Sequence, residues 1–202
     1  MIVVIDYGMG NVGSIVNMIK RVGYECIVSS SVDDILNASK LILPGVGSFD
    51  NAMKNLQELN LIDPINKQVI ENKIPILGIC LGMQLLTKGS EEGILEGFSY
   101  INGYSNKLDT ANGLLVPHMG WNLIDIKKIN NLYDNDIDEQ RFYFVHSFVV
   151  SCKDNQDILT TTCYGKEFVS SFQKDNIIGV QFHPEKSHTF GIHFFKNFLE
   201  NF

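Results

Sequence analysis

Over its first part the chain alternates short aliphatic and β-branched runs with stretches whose apolar positions recur every three or four residues. Ile2 to Ile5, Tyr24 to Val28, Lys40 to Leu43 and Ile76 to Ile79 read as buried strands. Between them, Val12 to Val22, a short stretch near Val32 to Leu36, Ser48 to Leu59, and Leu61 to Asn72 have helical spacing, the last stopping before Pro75. That order predicts βαβ units and a parallel sheet. From about Leu114 the pattern changes to closely spaced strands, notably Phe142 to Val150, Ile158 to Cys163, Phe168 to Phe172 and Ile177 to Phe182, before a closing helix from His188 to Leu199. The fold expected is α/β: a mixed, mainly parallel central sheet with flanking helices, plus a β-rich C-terminal half, as a single domain over 1–202. The segment Ile129 to Gln140, rich in Asp and Asn, reads as a solvated surface loop.

Composition narrows the function classes. At 202 residues, 45% hydrophobic and 19% charged, the chain is of ordinary globular type, which excludes disorder and coiled coil. A domain of this length buries roughly 70% of the surface its unfolded chain exposes, enough for a core without disulfides or structural metal. A net charge of -7 argues against a partner recognised through its phosphates, so nucleic acid is not expected. No apolar run reaches the roughly 18 residues of a membrane span, and the amino terminus lacks the basic start of a secretory signal. Cys26, Cys80, Cys152 and Cys163 form no CxxC pair and no zinc-finger spacing, which points to reduced thiols in a cytoplasm and to no bound metal.

The chemistry gathers around Cys80. Gly78-Ile79-Cys80-Leu81-Gly82 follows a buried strand and opens a helix, the G-x-nucleophile-x-G form of a nucleophile elbow. A helix amino terminus favours a thiolate by about 0.3–1 kcal/mol. That is too little to ionise a thiol alone, so a base is required. Far along the chain, Gly179-Val180-Gln181-Phe182-His183-Pro184-Glu185-Lys186 ends a strand in a His followed two residues later by a Glu. In an extended segment, which Pro184 would help to hold, the two side chains point the same way, so Glu185 can orient His183 toward Cys80. Pro44-Gly45-Val46-Gly47-Ser48 is a glycine-rich turn whose backbone N–H groups, with that of Leu81, suit a developing oxyanion. Asp6-Tyr7-Gly8-Met9-Gly10-Asn11 lacks the third glycine of a dinucleotide fingerprint in register.

These motifs carry a family resemblance over nearly the whole chain. The sequence resembles class I glutamine amidotransferases through Gly78-Ile79-Cys80-Leu81-Gly82-Met83-Gln84 and His183-Pro184-Glu185. Within that class it is similar to the branch of glutaminase subunits of imidazole glycerol phosphate synthase. The segments that carry this closer match are Asp6 to Asn11, Pro44 to Gly47, Pro117-His118-Met119-Gly120-Trp121-Asn122, Tyr143-Phe144-Val145-His146-Ser147 and His183 to Ser187.

The resemblance implies a Cys80, His183, Glu185 triad that hydrolyses L-glutamine without any cofactor. It further implies that Gln84 and the backbone around Gly47, Ser147 and Phe148 hold the substrate. Asn11, Tyr143 and Lys186 would then face a cyclase (synthase) subunit in a heterodimer of histidine biosynthesis. Two departures, Val12-Gly13-Ser14 in place of a basic triplet and His188 after Ser187, keep open paralogues that supply ammonia for sugar amidation in surface-polysaccharide pathways. A cysteine peptidase or chaperone-like relative is disfavoured by Gln84 and the His-Pro-Glu triplet. A silent regulatory subunit is disfavoured by the intact triad.

Overall fold

The computed structural model describes residues 1–109, 113–134, 137 and 139–202. Its strands are β1 (Ile2–Ile5), β2 (Cys26–Ser29), β3 (Lys40–Leu43), β4 (Ile76–Ile79), β5 (Gly103–Lys107), β6 (His118–Ile126), β7 (Gln140–His146), β8 (Phe148–Cys152), β9 (Ile158–Tyr164), β10 (Lys166–Lys174) and β11 (Ile177–Val180). The helices are α1 (Val12–Arg21), α2 (Val32–Leu36), α3 (Phe49–Glu58), α4 (Ile62–Asn66), α5 (Leu81–Leu85) and α6 (His188–Asn201). One sheet runs β2-β1-β3-β4-β11-β10-β9-β6-β7, with β8 joining β10 to β5. The strands from β2 to β11 in that order are parallel to one another, and the rest are antiparallel. The mixed α/β sheet is as the sequence predicts, but it is not mainly parallel: among the described residues six pairings are antiparallel and four parallel, because the β-rich C-terminal half continues the same sheet.

Every residue of β1, β4 and β11 is buried, because helices cover both faces there. Val3, Ile5, Leu41 and Leu43 pack with α3 residues Phe49, Ala52 and Leu56, while Val4, Ile42 and Leu77 pack with Ile15 and Ile19 of α1 and with Phe194, Phe195 and Phe198 of α6.

Several expectations need correction. The stretch Leu61 to Asn72 is not one α-helix: after Asn66 it widens into a π-turn over Lys67–Glu71. That turn sets the buried Gln68 amide against the end of α2, where it donates to the carbonyls of Ile35 and Leu36. The run Phe142 to Val150 is two strands broken at Ser147, because β7 pairs with β6 whereas β8 pairs with β5 and β10. The segment Ile129 to Gln140 is not wholly solvated: Leu132 and Tyr133 are buried against the aromatic core. Of that segment, Asn135, Asp136 and Asp138 lie outside the described residues. The elbow helix α5 has only five residues, so its dipole gives Cys80 less help than a long helix would.

Candidate active site

Register brings together residues about a hundred positions apart. β4 and β11 are parallel neighbours with Ile79 opposite Val180, and the Cys80 amide donates to the Val180 carbonyl at 2.8 Å. Cys80 and Gln181 therefore leave the sheet side by side, and His183 follows two residues on. Cys80 has φ 54 and ψ -107, a conformation costly for a residue with a Cβ. The surrounding glycines leave little alternative. A Cβ on Gly82 would lie 1.9 Å from the Leu43 carbonyl oxygen, one on Gly78 would lie 2.6 Å from the Gly82 oxygen, and one on Gly179 would meet the Phe172 ring and Met83. The turn and helix α5 thus press against the sheet, with the sulfur projecting at its carboxyl edge.

His183 Nδ1 lies 2.8 Å from Glu185 Oε1, and both side chains are almost wholly buried. The link is not made through an extended segment, as the sequence suggests. β11 ends at Val180, and Pro184–Lys186 form a 3-10 turn with proline at its start, where its fixed φ suits a helix. The turn folds the carboxylate back onto the imidazole. β7 pins it: the His183 amide donates to the Tyr143 carbonyl at 2.8 Å, and the Tyr143 amide donates to Ser187 Oγ at 3.0 Å. Among the described residues the buried His183 Nε2 has no partner other than the Cys80 sulfur, with which it can exchange a proton. Burial alone disfavours the imidazolium, but interaction with the Cys80 sulfur and with Glu185 outweighs it and pushes the His183 pKa up to about 10.

Cys80 opens into a cleft of about 330 Å³ bordered by Val46, Gly47, Leu81, Gln84, Pro117 and Ser147, with Glu92, Val145, His146 and Phe148 completing the wall. The volume is at the small end of ligand pockets, suited to one amino acid. Gly47, with φ 117, and Val46 reach this wall; Gly45 does not. It stands behind, where a Cβ would meet Tyr7 Oη at 2.7 Å and Leu81 Cβ at 2.9 Å. Gln84 Nε2 donates to the Phe148 carbonyl at 3.3 Å and so fixes that side of the cleft.

Four wall residues, Pro117, Val145, Glu92 and His146, are not among the substrate-holding residues the sequence suggests, and the last two carry polar chemistry. Glu92 lines the cleft and accepts from the Phe49 amide at 2.8 Å; nothing in Ser-Glu-Glu-Gly marks it as a site residue. His146 donates from Nδ1 to the Phe148 carbonyl at 2.9 Å, which leaves its Nε2 to accept from His118 Nδ1 at 2.9 Å. Burial holds both rings neutral, with pKa values lowered to about 3 for His146 and about 4 for His118.

Comparison with known proteins decides the family. The family model for glutamine amidotransferase class-I matches residues 3–202. The chain belongs to the class-I glutamine amidotransferases. A relative named imidazole glycerol phosphate synthase subunit HisH 2, from Methanococcus maripaludis, is 56% identical over 99% of both chains. One of the same name from Pseudomonas aeruginosa is 46% identical over 99% of both. Among solved structures, a glutamine amidotransferase matches with a TM-score of 0.75 at 19% identity over 98% of this chain and 97% of that one. The glutaminase domain of Trypanosoma brucei CTPS, solved with bound acivicin, matches with a TM-score of 0.66 at 14% identity over 98% and 90%. At such identities the structures speak to the fold alone.

The amidotransferase also carries an apolar outer face. Met119, Trp121 and Leu123 point outward from β6 at 62%, 47% and 39% exposure, and Tyr143 stands opposite Trp121 in the register. Lys186 Nζ lies 5.8 Å over the Tyr143 ring, and His188 stacks on Trp121 with ring centroids 5.4 Å apart. Asn11 caps α1 by accepting from the Ser14 amide at 3.3 Å, and α1 packs against the Pro184–Lys186 turn.

Proposed function

We propose that the chain is the glutaminase subunit of a split imidazole glycerol phosphate synthase. It hydrolyses L-glutamine to L-glutamate and passes the ammonia to a separate cyclase subunit in histidine biosynthesis. The observation that carries this reading is Cys80, held in a strained elbow beside a Glu185-oriented His183 on an amino-acid-sized cleft. The name shared by the full-length relatives supports the partner and the pathway; it lends nothing to the sugar-amidation alternative. Residues 1–202 act as one unit, supported by the continuous sheet and by the extent of the family match. Four free cysteines support a cytoplasmic location.

In the proposed cycle the Cys80 thiolate attacks the side-chain carbonyl carbon of glutamine, forming a C–S bond and an oxyanion. N–H groups of the Val46–Gly47 segment and of Leu81 face that oxygen, and Gly45 packs the segment against the elbow. As the C–N bond breaks, the His183 imidazolium gives its proton to the leaving nitrogen, releasing ammonia and leaving a thioester. His183 then takes a proton from water, which attacks the thioester. The second adduct collapses to glutamate, and the electron pair returns to sulfur.

A raised His183 pKa has consequences of definite sign. The imidazolium outlasts its ordinary range and is lost only as pH rises toward about 10. Its stabilising contribution is complete below the unfolded value near 6.5 and is lost progressively between there and about 10. The alkaline limb of kcat/KM is therefore expected far above the ordinary histidine range. Glu185→Gln, which removes the charge, should move that limb to lower pH. A limb unmoved by the substitution would remove Glu185 from its role.

Gln84, Ser147 and Phe148 hold glutamine, and the Glu92 carboxylate faces its α-ammonium. Glu92→Gln retains an acceptor for the Phe49 amide but loses the charge, so KM for glutamine should rise roughly ten- to a hundredfold with a smaller change in kcat. Steady-state kinetics decide this, and an unchanged KM would argue against an ammonium contact.

The outward row on β6, together with Asn11, Tyr143 and Lys186, is the docking surface for the cyclase. Lys186→Ala should weaken the coupling of glutamine hydrolysis to synthesis while leaving the fold intact; unchanged coupling and affinity would reduce it to a surface residue. The decisive experiment mixes the chain with a barrel-type cyclase subunit, or with a sugar amidotransferase system, with glutamine as the sole nitrogen source. Glutamine-dependent imidazole glycerol phosphate is expected. Its absence, with amidated sugar in the other mixture, would overturn the pathway.

A further inference from the structure

We infer that Gln181 is a further catalytic residue: its side-chain amide donates a hydrogen bond to the Cys80 sulfur and holds it as a thiolate. The inference rests on Cys80 being the nucleophile. Gln181 is fully buried, and its Nε2 lies 3.6 Å from Cys80 Sγ, within hydrogen-bonding range for sulfur.

The orientation of this amide follows from donor and acceptor accounting. The Phe148 carbonyl can only accept, so the end of the Gln84 side chain that meets it at 3.3 Å must be the nitrogen. The same Gln84 Nε2 lies 3.2 Å from the Gln181 side chain, so the Gln181 atom facing it must be the oxygen. That leaves the Gln181 NH2 facing sulfur. A backbone carbonyl at the cleft wall thus sets, through two glutamine side chains, which group the nucleophile meets.

Another contact of Cys80 shows why the donor matters. The sulfur lies 3.7 Å from the Val145 carbonyl, which accepts from a thiol and disfavours a thiolate. Beside His183, Gln181 supplies a countervailing donor. Hydrogen bonds to a charged form favour that form, so the donor raises the thiolate fraction before attack. It acts again when the second tetrahedral adduct collapses, as the C–S bond breaks and its electron pair returns to sulfur.

The test reads the ionisation of Cys80 in the full chain. Iodoacetamide alkylation, followed across pH by mass spectrometry of the peptide containing Cys80, gives the thiolate midpoint. Gln181→Met keeps most of the volume and removes the donor, and the midpoint should rise by about one pH unit, a tenfold loss of thiolate at a fixed pH below it. Gln181→Glu, which puts a carboxylate there, should raise it further. The wild-type protein gives an independent reading: the isotope-labelled side-chain amide of Gln181 should shift with the Cys80 midpoint and lose that dependence in Cys80→Ala. An unchanged midpoint in folded Gln181→Met, or an amide indifferent to Cys80 ionisation, would overturn the role of Gln181. Cys80→Ala that still hydrolyses glutamine would instead overturn the nucleophile assignment.

Discussion

Cys80→Ala is expected to lower glutamine hydrolysis by about a thousandfold or more while leaving the protein folded, because a missing nucleophile is rarely compensated by its neighbours. The substitution is mild structurally. It keeps the Cβ at the strained φ of 54 and removes only a sulfur that meets the Val145 carbonyl, the Gln181 amide and His183. The other thiols are the controls. Burial raises the pKa of Cys26 and pushes that of Cys152 up to about 12, so both are held as thiols, and Cys163 is an exposed residue at the end of β9, outside the cleft wall. Serine or alanine at those three positions should leave turnover intact. Glutamate release by purified variants, with circular dichroism to confirm folding, measures the effect. Substantial turnover by Cys80→Ala would remove it from the mechanism.

What could be read from the chain, and what could not, follows from how each signal is encoded. The parallel strands are legible because helices cover both of their faces, so Val3 to Ile5 and Ile76 to Ile79 must be apolar throughout. The elbow and the His-x-Glu pair are legible because the glycines and the spacing are local. β6 is hard to read for the opposite reason. His118 and Asn122 turn inward, where polar contacts satisfy them, while Met119, Trp121 and Leu123 turn outward. From His118 to Leu123 this inverts the usual alternation and leaves an exposed apolar row.

The break at Ser147 is hidden because Phe142, Phe144, His146, Phe148 and Val150 keep a two-residue rhythm through it. Only pairing reveals that one strand has changed neighbours, and that change bends Ser147 and Phe148 into the cleft wall. Gln181 is invisible for a similar reason. Its relation to Cys80 exists only once β4 and β11 lie in register.

The second large effect is expected at Gly82, through stability as well as turnover. A Cβ there would sit 1.9 Å from the Leu43 oxygen and 2.9 Å from its carbonyl carbon, and a backbone group at the end of β3 cannot rotate aside. Relief requires α5 to lift from the sheet, carrying Leu81 and Gln84 away from the cleft and disturbing the Pro44–Gly45 segment that follows Leu43. Overpacking against movable side chains costs about 1–3 kcal/mol, and against fixed backbone the cost should reach or exceed the top of that range. For a chain of this length that corresponds to roughly 10 °C in Tm, against a total stability of about 5–15 kcal/mol. Gly13→Ala is the internal comparison. Its Cβ would meet nothing nearer than Asn11 Oδ1 at 3.8 Å, and the position lies within α1, where alanine is the better helix former. The same added methyl group should therefore leave Tm unchanged or slightly raised at Gly13, while at Gly82 it lowers Tm and abolishes most glutamine turnover. Equal melting of the two variants would mean that the close approach of α5 to β3 is not what requires glycine at the elbow.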